Sequence, residues 1–150
     1  MGTWLKVFIL SYLSVLFFGS FIAVGTLLTG VLEKDLPFIV DIKMFLHYFF
    51  AGAIGGSLRH LYMFCSHYIK NELLNYRVWI MYIFYPIFAT GTAVVAVMVI
   101  DSGILSIQFT EYDNTPFAPI SLAFFVGFGF NRFVNKLNEI SKEMFDTDKK

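Results

Sequence analysis

Charge is what this sequence has least of. Charged residues make up 15% of the chain, against about 25% in ordinary soluble domains. Lys plus Arg and Asp plus Glu are equal at 11 each, so the formal net charge is zero. No basic excess points to nucleic acid, and direct nucleic-acid binding is not expected. The chain has one cysteine, Cys65, which excludes an internal disulfide and a multi-cysteine metal site. Asp and Glu are missing from the interior of the long apolar runs, and proton- or cation-coupled carriers generally need a carboxylate there. No Ser/His/Asp set, Gly-rich phosphate loop or H-E-x-x-H string occurs. No connecting segment is long enough to enclose a core of its own. Neither an enzyme nor a cofactor is therefore expected.

Apolar length is what the sequence has in excess. It is 57% hydrophobic with a mean hydropathy of +0.68, and it holds 19 Phe and 8 Tyr. Residues 7–32, "VFILSYLSVLFFGSFIAVGTLLTGVL", carry no charge. About 26 residues at 1.5 Å each reach roughly 39 Å, enough to cross a core of about 30 Å. The run is long for the apolar part of a signal peptide, and its end lacks a clear small-x-small cleavage site, so it reads as a retained span. Residues 44–69, "MFLHYFFAGAIGGSLRHLYMFCSHYI", form a second run, interrupted by Arg59 and by His47, His60 and His67. Residues 78–100 form a third, with Pro86 placed to kink it. A fourth, about 119–135, continues without a proline into "NRFVNKLNEISKEMF". The expectation is an all-α membrane protein, a single membrane domain over residues 1–150. It has four transmembrane helices, and the fourth runs on as one long helix into an amphipathic cytoplasmic tail at about 131–146. "DTDKK" at the end reads as charged and disordered.

The loops set a direction. Lys70 and Arg77 lie in the 69–77 loop, and Arg132, Lys136, Lys142, Lys149 and Lys150 in the tail. The 101–118 loop has Asp101, Glu111 and Asp113 and no Lys or Arg. The positive-inside rule puts both termini and the 69–77 loop in the cytoplasm. Tyr112 and Phe117 suit an interfacial position in the outer loop, which reads equally as a short hairpin.

Small residues recur at helical spacing. At 100° per residue Gly52, Gly55, Gly56 and Arg59 share one face, and Gly52 with Gly56 makes a G-x-x-x-G pair that lets backbones approach. Gly19, Ala23, Thr26 and Gly30 align in the first run, Ala89, Ala93 and Ala96 in the third, and Ala123, Gly127 and Asn131 in the fourth. Packing within one chain accounts for most such stripes, and contacts in a homo-oligomer are the alternative. Arg59 is more specific. A charge at the bilayer centre costs at least about 2.5–3.5 kcal/mol, and Arg59 falls roughly 22 Å along its run. It either snorkels to the inner headgroups or is buried on a carbonyl, on Asn131, or in a wet cavity at a subunit interface, with His60 beside it as a further buried polar or pore candidate. The histidines sit on one helix with no partner on another, so neither haem nor metal is expected.

Phe130, Phe133, Leu137, Ile140 and Met144 are spaced 3, 4, 3 and 4, opposite Arg132, Lys136, Glu139 and Glu143. Over about two heptads this stripe fits a cytoplasmic bundle between subunits. It also fits an amphipathic helix in the headgroup region, or a helix docked on a cytosolic partner. The bundle is the leading expectation.

"GAIGGSLRHLY", "YPIFATGTAVVAVMVIDSGIL" and "AFFVGFGFNRFV" resemble elements of small four-span membrane proteins in bacterial antiphage defence systems, the Kiwa-type membrane subunits among them. Gly52, Gly55, Gly56 and Arg59 match a glycine-rich helix ending in arginine. Gly127, Phe128, Arg132 and Phe133 match a later G-F-x-x-R-F-like string. The resemblance implies a homo-oligomer in the bacterial inner membrane that registers phage attack and works with a cytosolic protein. Two functions stay open on the sequence. One is a membrane sensor or scaffold, and the other is a gated pore that depolarises the membrane, with Arg59 and the histidines along its path.

Overall fold

A computed structural model describes residues 2–31, 33, 36–72, 78–102 and 117–145. The described residues are helical: α1 (Thr3–Thr29), α2 (Ile39–Ile69), α3 (Trp79–Asp101), α4 (Phe117–Phe128) and α5 (Phe130–Phe145). Three of them, α1, α2 and α3, are long and apolar enough to cross a membrane, and a fourth crossing is counted if α4 and α5 are taken as one bent span. The chain is thus a multi-pass helical membrane protein. The outer-loop residues 103–116, the tail 146–150 and the Met144 side chain lie outside the described residues.

Local chemistry sets the helix ends. Gly30 closes α1 in the left-handed conformation, φ 67°, which costs glycine no Cβ clash. Asn71 does the same after α2 at φ 56°. The Asn71 amide bonds the Tyr68 carbonyl and the Glu72 amide bonds the His67 carbonyl at 2.9 Å, the paired bonds of a Schellman cap. Between α1 and α2, Lys43 Nζ pairs with Glu33 Oε1 at 2.5 Å.

α2 is the axis of the fold, packed against α1, α3 and α4. Half of its most apolar stretch is buried, compared with 17% for α1. Two clusters form around it. Toward its N-terminal half, Tyr48 and Ala51 meet Ala93, Ala96 and Val97 of α3 and Ala123 and Val126 of α4. Toward its C-terminal half, Phe64 meets Ile9 and Leu13 of α1 and Tyr82 of α3. Most of α1 faces outward, with Val15, Phe18 and Ile22 more than half exposed. A water-soluble protein would not leave such a surface open, but lipid covers it at no cost.

The expected single long fourth helix is not what forms. α4 and α5 meet at 96°. The bend falls at Gly129, whose amide still bonds the Phe125 carbonyl at 2.8 Å. The Arg132 amide would take the Phe128 carbonyl in a continuous helix. Here it turns to the Gly129 carbonyl at 2.8 Å. One helix ends and another begins, and the Phe128 carbonyl is left over.

Candidate functional site

The glycines of α2 face two neighbours, not one. Gly52 and Gly56 look toward α3. A Cβ on Gly52 would overlap the Ala93 side chain, and one on Gly56 would come within 2.9 Å of the Ala89 Cβ. Gly55 looks toward α4, where an added Cβ would overlap the Phe124 carbonyl oxygen. Gly127 completes the contact from the other side, because its own Cβ would overlap the Gly52 carbonyl oxygen. Three backbones therefore converge on one turn of α2. This is the close approach that small residues permit in lipid, where association rests on dispersion and polar contacts.

Arg59 lies one turn past Gly55 on the same flank. Its Nη1 donates to the Phe128 carbonyl at 3.0 Å, the acceptor freed by the break. That carbonyl is also at the negative end of the α4 dipole, where a cation is favoured. Asn131, the other partner the sequence offered, is exposed, and among the described residues it makes no hydrogen bond to Arg59. The expected line from Ala123 through Gly127 to Asn131 is cut by the bend. Ala123 and Gly127 are buried on α2, and Asn131 is turned away.

His60 sits beside Arg59 but is 3% exposed. Its Nδ1 lies 2.7 Å from the Gly56 carbonyl of its own helix. Its ring meets Tyr82 and Tyr85 edge-on. Tyr85 in turn contacts Phe130, the first residue of α5, at 6.0 Å between ring centres. Two turns on from His60, the Tyr82 hydroxyl is 2.5 Å from His67 Nδ1, and Glu72 stands 3.8 Å from the other ring nitrogen. His47 is at the far end of α2. Its Nδ1 is satisfied by the Lys43 carbonyl, while its buried Nε2 has no partner among the described residues. No cluster of three or more metal-ligating side chains forms among the described residues.

The stripe on α5 divides by depth. Phe133 packs on the α2–α3–α4 cluster. Phe130, Val134 and Leu137 line a groove of about 490 Å³ against Ile87, Phe88 and Val95 of α3. Ile140 is half-buried, while Arg132, Lys136, Glu139, Lys142 and Glu143 are exposed. Gly19 on α1 meets nothing within 4 Å of an added Cβ, so among the described residues no helix packs closely on that position. The sequence reading missed the break itself. The change from residues 117–128, apolar all round, to apolar positions on one side only from 130 onward marks where the helix leaves the apolar layer, not that it bends. The Tyr82–His67 pair and a bond from the Tyr12 hydroxyl to the Ile83 carbonyl at 3.1 Å left no comparable periodic trace.

No family model, curated protein or solved structure matches the chain.

Proposed function

We propose that the chain is a homo-oligomeric sensor or scaffold of the bacterial inner membrane, acting in defence against phage. In this reading it couples an event at the membrane to a cytosolic partner through α5. The observation that carries it is the bond from Arg59 to the Phe128 carbonyl. The two stretches that resemble antiphage membrane proteins are distant in sequence and joined in space. Their matched residues Gly52, Gly55, Arg59, Gly127 and Phe128 form one contact. Arg59 clasps the point where α4 ends and α5 departs. A shift of α2 against α4 therefore changes the angle at which α5 leaves.

In this reading the bent α4–α5 pair serves as the fourth crossing, α4 supplying about 18 Å of it, and both termini are cytoplasmic. The 96° bend favours α5 lying along the inner boundary over a straight bundle projecting into the cytosol. An amphipathic helix at such a boundary buries its apolar side and shows its charged side to water. The exposed Arg132, Lys136, Glu139 and Glu143 are then the surface offered to a partner. The pore reading finds less support. Arg59 is engaged on a backbone carbonyl, and His60 is enclosed by tyrosines rather than lining open space.

Purification in mild detergent from cells that also express the neighbouring genes tests the proposal. The expected result is a complex several times the 17.2 kDa chain mass, with a cytosolic protein that is lost when residues 133–150 are deleted. Cells carrying the intact set should resist phage, and Arg59→Ala should reduce that resistance. A monomer with no companion protein, or ion conductance in reconstituted bilayers that Arg59→Ala alters, contradicts it.

A further inference from the structure

A second feature lies at the opposite flank, between the start of α1 and the end of α2. A groove of about 410 Å³ opens there. Its walls are apolar: Val7 and Leu10 from α1, and Phe64, Cys65 and Ile69 from α2. Its polar groups are confined to one end, where Thr3, Lys6 and Tyr68 stand. Residues 3 and 10 differ by about 10 Å along the helix axis, so the groove runs from a charged mouth to an apolar floor. The shape calls for a ligand with a polar head and a hydrocarbon body.

The mouth favours an anion. Lys6 Nζ lies 5.3 Å over the Tyr68 ring, a cation–π contact that leaves its N–H groups free to donate. Among the described residues no Asp or Glu lines the groove. The nearest described carboxylate in sequence, Glu72, faces His67. α1 begins at a glycine N-cap with no side-chain bond and no acidic residue in its first turn, so its open amides and positive dipole end lie at the same mouth. The negative end of α2 is close by, and there the Schellman cap takes up the His67 and Tyr68 carbonyls. Lys6 is the charged side chain that lines the mouth. The rim residues Val7, Tyr68 and Ile69 are each more than half exposed, on a flank that acyl chains surround.

We infer that this groove binds an anionic phospholipid, its phosphate held by Lys6 at the α1 N-terminus and an acyl chain laid between α1 and α2. The site is separate from the Arg59 clasp and does not depend on the function proposed above. Basic side chains near a bilayer surface attract anionic lipid with an energy that corresponds to about a fivefold preference per residue.

The full chain, placed in nanodiscs of equal phosphatidylglycerol and phosphatidylcholine and then released into mild detergent, is examined by native mass spectrometry for retained lipid. Phosphatidylglycerol should be retained over phosphatidylcholine about fivefold. Lys6→Gln should bring the two to parity, and Lys6→Arg should keep the preference. Leu10→Trp fills the groove and should remove the retained lipid of both kinds. Lys6 is half-buried at a helix end, away from the Ile9 and Leu13 core, so its variants fold. Parity in the unmodified protein overturns the inference. So does a preference unchanged by Lys6→Gln, or one that survives Leu10→Trp.

Discussion

The two halves of α2 hold the bundle by opposite means. From Ala51 to Gly56 only Ile54 is larger than alanine, and α3 and α4 come down onto the backbone at Gly52, Gly55 and Gly56. From His60 to His67 it presents rings, and α1 and α3 meet it through Phe64, Tyr82 and the His67–Tyr82 bond. In water both halves would gain from removing apolar surface from solvent. In lipid that gain is absent, and each half needs another source of attraction. The first uses proximity, which many weak dispersion contacts reward only at close range. The second uses hydrogen bonds, which need the right atoms but tolerate some slack. The first half should therefore be sensitive to volume, and the second to chemistry.

The sharpest way to break the contrast is to add volume where backbones touch. Gly127→Val puts a branched side chain where a single Cβ already overlaps the Gly52 backbone. Nothing movable stands in the way, so α4 must lift from α2. The expected loss is about 3 kcal/mol or more, the upper end of overpacking, read as a lower denaturation midpoint in detergent micelles. Gly19→Ala, on a face with nothing nearby, should be neutral or slightly stabilising, because alanine is the better helix former. Equal losses from the two variants would show that volume at the α2–α4 contact is not the controlling quantity.

These tight contacts were also the part best seen in the sequence. Gly52, Gly56, Ala89 and Ala93 announce themselves by spacing, because a helix has a fixed period and lipid-spanning runs are long. Spacing does not say which neighbour each glycine meets. Gly55 belongs to α4 and Gly56 to α3, a division made by a rotation of 100° between adjacent residues. The 96° bend was hidden for a different reason. It arises from an exchange of partners, the Phe128 carbonyl passing from the Arg132 amide to the Arg59 side chain. The two residues of that bond are 69 positions apart, and local propensity has no knowledge of such a pairing.

Arg59 stands between the two halves and tests where one regime gives way to the other. Arg59→Ala leaves the Phe128 carbonyl without its side-chain donor. Hydrogen bonds to charged groups are worth about 1.5–3 kcal/mol, and no more than the lower figure applies because this bond is exposed. The larger consequence is geometric. Spin labels at the exposed Ser121 and Glu139 should report one distance across the bend in the unmodified chain and a broad distribution in Arg59→Ala. An unchanged, narrow distribution would mean that Gly129 alone sets the angle.

Tyr82→Phe removes one atom from the ring-packed half and keeps its volume. The ring stays edge-on to Phe64, 5.4 Å between centres, and only the bond to His67 is lost. About 1 kcal/mol is expected, well below the cost of Gly127→Val. A loss as large as that of the glycine variant would erase the distinction between a half governed by volume and one governed by chemistry.

The smallest effect is expected at Tyr12, whose side chain joins α1 to α3 by a hydrogen bond. Its hydroxyl donates to the Ile83 carbonyl, three residues before Pro86. Pro86 has no amide to give to the Tyr82 carbonyl four residues before it, and its ring crowds that turn, next to the Ile83 carbonyl that Tyr12 uses. Tyr12→Phe should cost about 0.6 kcal/mol, the average for a hydrogen bond between membrane helices. Pro86→Ala gives the Tyr82 carbonyl its amide and relieves the crowding of this turn, so the neighbouring Ile83 carbonyl is less open to Tyr12. In that background Tyr12→Phe should cost less. If the cost is the same with and without Pro86, the tyrosine is bound to α3 by position alone, and the proline has no part in joining α1 to the bundle.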